Sequence, residues 1–208
     1  MEKVGEIILH NLRATRNLAL IFNEKLFPKP NRSQVWVETV IYTLIALTII
    51  GLFLSFAKPK IEEIQDKSVV EQSVEMLEEI NSIILNIIQG GAGNKRVIDV
   101  SIKKGTLTID GVQDTVKFEL EGRYTYTQPG EDGQPGDFLE IGRVLASTQK
   151  KGKDSIVTLI SNYSGSYNIT YQGSDSIKAV SKAPIAYRIS IENAGDASGT
   201  PIINFKVQ

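Results

Sequence analysis

The sequence predicts an α+β chain: a long N-terminal, partly transmembrane α-helix followed by an antiparallel β-sandwich head. Three observations predict it. Val35 to Ala57 reads VWVETVIYTLIALTIIGLFLSFA, 23 residues with a single charge, Glu38. Residues 61–89 then keep apolar side chains at helical spacing. After Gly93 the apolar period changes to two, the mark of half-buried strands. Over 208 residues the mean composition, 41% hydrophobic and 23% charged, averages two unlike halves.

Residues 1–33 hold six basic side chains (Lys3, Arg13, Arg16, Lys25, Lys29, Arg32) against three acidic ones (Glu2, Glu6, Glu24), a net +3 that suits a cytoplasmic flank. Ile7-Ile8 and Leu18–Phe22 have the character of a short interfacial helix, broken by Phe27-Pro28-Lys29-Pro30. The apolar run that follows would span about 34 Å as a helix, against a hydrocarbon core of about 30 Å. A buried core helix would be shorter and carry a polar stripe, and a secretory signal would start earlier and hold only about 7–15 apolar residues.

Beyond the run, Val70, Val74, Leu77, Asn81, Ile84 and Ile88 form one stripe interrupted only by Asn81, with Glu71, Glu75, Glu78 and Glu79 opposite. Gly90-Gly91-Ala92-Gly93 is a helix stop. Pro59, which lacks a backbone donor, predicts a kink. Residues 34–89 would make one helix about 84 Å long, 34–57 in the membrane or a filament core and 58–89 amphipathic.

In the head, residues 94–208, Val97–Ile102 and Thr106–Ile109 alternate around Lys103-Lys104-Gly105, which reads as a hairpin. Thr115–Leu120 alternates likewise, and further strands are expected at 139–146, 155–161, 166–172, 185–192 and 201–207, the last two as a closing hairpin. QPGEDGQPGD, residues 128–137, is a turn-rich loop. A sheet with one apolar face needs a cover, which the stripe of helix 61–89 can provide.

Composition removes several chemistries. Net charge is −1, so no basic excess exists to neutralise phosphates, and nucleic acid is not an expected partner. With no cysteine and one histidine, His10, ahead of the folded part, thiolate metal sites, Cys nucleophiles and Ser-His-Asp arrangements are excluded from the main body. No glycosidase-type carboxylate pair or phosphate-cradling loop is identifiable, so the chain reads as a non-enzyme without cofactor or metal. Glu131, Asp132 and Asp137 are the nearest approach to a calcium loop, but an acidic Gly/Pro loop is ordinarily just solvated. Tyr124, Tyr126, Tyr163, Tyr167 and Tyr171 offer either an adhesive patch or ordinary sheet packing. Two sequons, Asn162-Tyr163-Ser164 and Asn168-Ile169-Thr170, are candidate N-glycosylation sites that favour an exterior head. A third, Asn31-Arg32-Ser33, falls in the cytoplasmic flank.

Glu38 carries more information. A carboxylate inside an apolar span costs about 2.5–3.5 kcal/mol at mid-helix on insertion scales, so it requires headgroups, a partner or a function. The residues around it are Asn31-Arg32-Ser33-Gln34-Val35-Trp36-Val37-Glu38-Thr39-Val40: a basic and a small residue, then a polar-started apolar helix with its glutamate fifth from Gln34. Here the sequence resembles the type IV pilin superfamily, archaeal pilins and archaellins in particular, with a class III signal peptide. The resemblance covers roughly residues 29–89 as motif and helix. It implies a leader, residues 1–33, cut by a prepilin-type leader peptidase, with Arg32 as the basic residue, Ser33 as the last leader residue and Gln34 as the new N-terminus. It implies that Glu38 is the family glutamate, and that the head is an immunoglobulin-like sandwich. The sequence departs from the family pattern in its long leader, in Ser33 where Gly or Ala is commoner, and in Thr39 after the glutamate.

What the resemblance implies for function is a structural subunit of an archaeal type IV-like surface filament, for adhesion or motility. The subunit is membrane-held with its N-terminus cytoplasmic before assembly, and extracellular after cleavage. Its partners would be membrane lipid, the assembly machinery and other copies of itself in a helical homopolymer, with Glu38 pairing the Gln34 amine of a neighbour. The alternative is a single-span protein whose extracellular β-sandwich binds a ligand and never assembles.

Overall fold

The computed structural model describes residues 32–208. The leader to residue 31, with His10, the Leu18–Phe22 segment and the Asn31 sequon, lies outside the described residues, as do the side chains of Arg32, Ser33, Gln34 and Asp132. The chain divides into two compact units between Ser55 and Phe56.

One helix, α1 (Arg32–Gln89), runs through Pro59. It begins two residues before the expected start and takes in Arg32 and Ser33. Gly91 and Gly93 stop it, with φ of +85° at each, a conformation that side chains with a Cβ rarely adopt.

The second unit, Phe56–Gln208, holds every buried apolar residue of the core. Ten strands follow the helix: β1 (Lys95–Val100), β2 (Thr106–Asp110), β3 (Thr115–Gly122), β4 (Leu139–Ile141), β5 (Val144–Lys151), β6 (Asp154–Asn162), β7 (Asn168–Tyr171), β8 (Ile177–Ser181), β9 (Tyr187–Ala197) and β10 (Thr200–Val207). They form two sheets, ordered β1-β9-β10-β7 and β4-β5-β6-β3-β2-β8. Every pairing is antiparallel except β7 with β10, so the head is the expected sandwich with one parallel seam.

Alternation drives the packing. Val116, Phe118 and Leu120 on β3, with Val157 and Leu159 on β6, turn inward toward Ile189 and Ile191 of β9 and Ile203 and Phe205 of β10. The same core takes in Val70, Leu77, Ile80, Ile84 and Ile87 of α1. With Asp66 and Ser73, the buried helix positions alternate spacings of four and three, so the seam repeats every seven residues. Ile80 and Ile87 occupy its centre, and the expected members Val74 and Ile88 its margin. The expected stripe repeats every seven residues too and shares Val70, Leu77 and Ile84; the buried face differs by one position at alternate turns, Ser73, Ile80 and Ile87 in place of Val74 and Ile88, with Asn81 buried beside them.

Three strand expectations are corrected. Lys103-Lys104-Gly105 is not a hairpin: β1 pairs with β9, whereas β2 pairs with β3 and β8 in the other sheet. The chain crosses between sheets there because Val100 and Ile102 are both buried. Gly105, at φ +92°, permits the crossing, since a Cβ would stand 2.6 Å from the Phe118 ring and 2.7 Å from the Glu119 carbonyl. Residues 139–146 form two strands, β4 and the start of β5, divided by a turn at Gly142 with φ +57°. β8, which the pattern did not reveal, adds an edge beside β2. The closing hairpin is present as β9–β10, its turn tightened to Ser198-Gly199.

Candidate functional site: an apolar helix face with one carboxylate

From Val35 to Phe56 every described side chain of α1 is exposed. Trp36 and Phe53 are each 71% exposed and Phe56 is 76% exposed, part of a contiguous run of exposed large apolar side chains. Burial of one such Leu, Ile or Phe side chain is worth about 1.5–3 kcal/mol, so leaving the whole run in water is prohibitive. The helix is long and apolar enough to cross a membrane.

The polar atoms of this stretch are arranged for an apolar environment. Thr39 Oγ1 donates to the Val35 carbonyl at 2.9 Å, Thr43 to Thr39 at 2.8 Å, Thr48 to Leu44 at 2.8 Å, and Ser55 to Gly51 at 2.9 Å. Each hydroxyl thereby spends its proton on the preceding turn and needs no water. The one carboxylate, Glu38, is exposed and makes no ion pair among the described residues. It is the one charge between Val35 and Phe56, on a surface where the other polar side chains besides these four hydroxyls are the exposed Trp36 and Tyr42.

The second unit contains a different set of polar contacts, all structural. Asp66 is buried and accepts from the Lys104 ammonium and, at 2.7 Å, from the Arg123 backbone N–H. A Cβ on Gly122 would lie 2.1 Å from Asp66 Oδ2, so glycine there makes the contact possible. Glu78 Oε1 accepts from the Arg143 N–H at 2.8 Å. Asn81, the interruption in the stripe, is buried, donates to Ser161 Oγ at 3.2 Å and accepts from the Tyr163 hydroxyl. Burial pushes the Tyr163 phenol well above its ordinary pKa, with Glu78 adding in the same direction, so the ring keeps the proton it donates.

The other candidates are placed as follows. Asn162 and Asn168 are both exposed. Asn162 Oδ1 accepts from the Ser164 N–H at 3.0 Å in an Asx turn. In the second sequon Thr170 is buried, its hydroxyl directed to Asn204 Oδ1 at 3.4 Å, so only the first presents its hydroxyl residue at the surface. The five tyrosines form no common patch: Tyr163 is in the core and Tyr124, Tyr126, Tyr167 and Tyr171 pack against its margins. Tyr124 and Tyr126 meet edge to face at 6.2 Å.

The acidic loop contains a 3-10 turn, Glu131–Gly133, held to β5 by Gln149 Nε2 donating to the Gly133 carbonyl at 2.6 Å and the Gly136 N–H donating to Thr148 at 2.9 Å. Among the described residues no group of three His, Cys, Asp or Glu is placed to hold a metal. Sequence reasoning missed the Asp66–Lys104–Arg123 lock; a lone acid in a seven-residue seam was its signal. No family model, curated protein or solved structure matches this chain.

Proposed function

We propose that this chain is the subunit of an archaeal type IV-like surface filament, held by its N-terminal helix first in lipid and then against the same helix of other copies. The observation that carries the reading is the long exposed apolar surface from Val35 to Phe56, whose Thr and Ser hydroxyls are internally satisfied and whose only charge is Glu38. Such a surface exchanges lipid for a like surface at little cost, and a repeated head-to-tail contact of that kind gives an open helical polymer.

In this reading a leader peptidase cuts between Ser33 and Gln34. The freed amine of Gln34 in one copy then meets Glu38 of the next. Burial of either charge alone is costly, so the pair fixes subunit register more than it adds net stability.

The test has two readouts. Mass spectrometry of the mature chain finds Gln34, free or cyclised, at the N-terminus. Glu38→Gln leaves expression and cleavage intact and reduces surface filaments at least tenfold by electron microscopy. An intact leader with no filaments supports the second reading, a single-span anchored β-sandwich, which the helix length alone favours. Normal filaments from the mutant overturn the role of Glu38.

A further inference from the structure

The second unit has two distinct ends. Asp66 of α1 lies beside Gly122 and Lys104, whereas Asn81 lies beside Ser161 and Tyr163. From Asp66 to Asn81 is about 22 Å of helix, and from Ser155, the partner of Gly122, to Ser161 is about 20 Å of β6. Helix and strand therefore run together, and the end that holds Asp66 is the one at which α1 enters. The β1–β2, β5–β6 and β8–β9 connections lie at that end.

Charge is divided between the two ends. At the entry end Lys103, Lys104, Lys150, Lys151, Lys153 and Lys182 are all exposed. The acids there are already engaged: Asp66 by Lys104, Glu62 and Asp154 by Arg123, Glu63 by Lys60 and Glu121 by Lys151. Among the described residues Lys103, Lys153 and Lys182 take part in no ion pair. The far end instead carries Asp110, Asp114, Glu140, Asp175 and Asp196, against Lys95, Arg96 and Arg143.

An apolar tip accompanies the lysines. Ala183-Pro184-Ile185-Ala186 leads from β8 to β9, tied down by the Ala183 N–H donating to the Ile102 carbonyl at 3.2 Å. Ile185 is 79% exposed, more than any other large apolar side chain described. Beside this loop Lys103, Lys104 and Lys182, with Gln65 and Gln72, line a cleft of about 530 Å³. Ala57, where the apolar run ends, precedes Asp66 by nine residues, at most about 14 Å of helix. A headgroup layer is about 5–7 Å thick, so a bilayer holding the run keeps these lysines within about a Debye length, 8–10 Å.

We infer that the entry end of the head is a docking face for anionic lipid headgroups of the bilayer that holds the apolar run. Lys103, Lys153 and Lys182 supply the unmatched charge, and Ile185 enters the headgroup layer beside them. The inference rests on the membrane-held state, which both readings of the function share.

The test uses the full chain, whose lack of cysteine lets one label report one position. Ile185→Cys, at the entry end, and Val112→Cys, exposed at the far end, are labelled with the fluorophore NBD. Each is reconstituted into vesicles of phosphatidylcholine, alone or with one-third phosphatidylglycerol, that carry a nitroxide at headgroup level. The Ile185→Cys label is quenched at least threefold more in the anionic vesicles than in the neutral ones, and the Val112→Cys label in neither. Lys103→Glu with Lys182→Glu removes that difference, and both changes to Arg keep it. Salt at about 1 M, where the Debye length is about 3 Å, also reduces it. Trp36, the only tryptophan, reports insertion of the apolar run by a blue-shifted emission.

With Trp36 in lipid, an unquenched Ile185→Cys label overturns the docking face and leaves the membrane-held state standing. A water-like Trp36 emission defeats both. Quenching equal in the two vesicles, or matched by the Val112→Cys label, overturns the recognition of anionic lipid. Shielding that follows protein density rather than phosphatidylglycerol overturns it too, and gives the face to the acidic end of a second copy.

Discussion

At the scale of single residues, buried polar groups tie the helix to the sandwich. Asn81, Tyr163 and Ser161 form a closed hydrogen-bonded set inside an apolar seam. Because burial raises the Tyr163 phenol above its unfolded value of about 10, the unfolded chain loses that proton first as pH rises. The stability this group contributes is complete below about pH 10 and declines above it, by about 1.4 kcal/mol per pH unit until the folded phenol ionises. Urea melts between pH 9 and 11.5 measure that slope. Tyr163→Phe removes the Tyr163 contribution to it and costs about 1–2 kcal/mol at pH 7, the price of an Asn81 oxygen left without its donor.

Asn81 also shows how far the sequence could be read. It stood out as a polar break in the stripe, but the phenol that answers it lies 82 positions away and has no local signature. Glu38 is the converse case. The cost of its charge is plain from the sequence, while whatever answers it is absent from the described residues.

At the scale of elements, α1 serves two environments with one geometry. Its first part presents a mainly apolar surface with self-satisfied Thr and Ser hydroxyls and the charge of Glu38, and its second part buries a seven-residue seam in the head core. Leu77, fully buried at the middle of that seam, is where truncation acts most directly. Leu77→Ala costs about 2–5 kcal/mol in chemical denaturation of the head, whereas Leu47→Ala, in the exposed stretch, leaves that transition unchanged.

Periodicity made the helix, its glycine stop, most strands and the closing hairpin legible. It did not show the crossing at Lys103-Lys104-Gly105, because the same turn chemistry serves a chain that returns in its own sheet and one that passes to another. β8 escaped because only Val180 of its five residues is buried, too little alternation to register. β4 and β5 merged because Gly142 acts by its positive φ, which composition does not reveal.

At the scale of the whole molecule, the division between Ser55 and Phe56 separates most of the exposed apolar helix from the unit that contains the core. The core cluster and every polar lock described above belong to residues after that point. A chain beginning at Phe56 is therefore expected to be soluble, monomeric at micromolar concentration and cooperatively folded, as checked by analytical ultracentrifugation and thermal circular dichroism. The full chain is expected to require detergent or lipid. If the shorter chain precipitates or melts without cooperativity, the apolar stretch contributes to the fold of the head as well.

The order of strands in the four-stranded sheet bears on how the head is made. β9 and β10, the last two described strands in chain order, occupy the two central places, flanked by β1 and β7 from earlier in the chain. Neither flanking strand has a neighbour in that sheet until β9 and β10 are in place. Closure of this sheet is thus a non-local step: removing the β9–β10 hairpin leaves β1 and β7 without a partner and takes Ile189, Ile191, Ile203 and Phe205 out of the core.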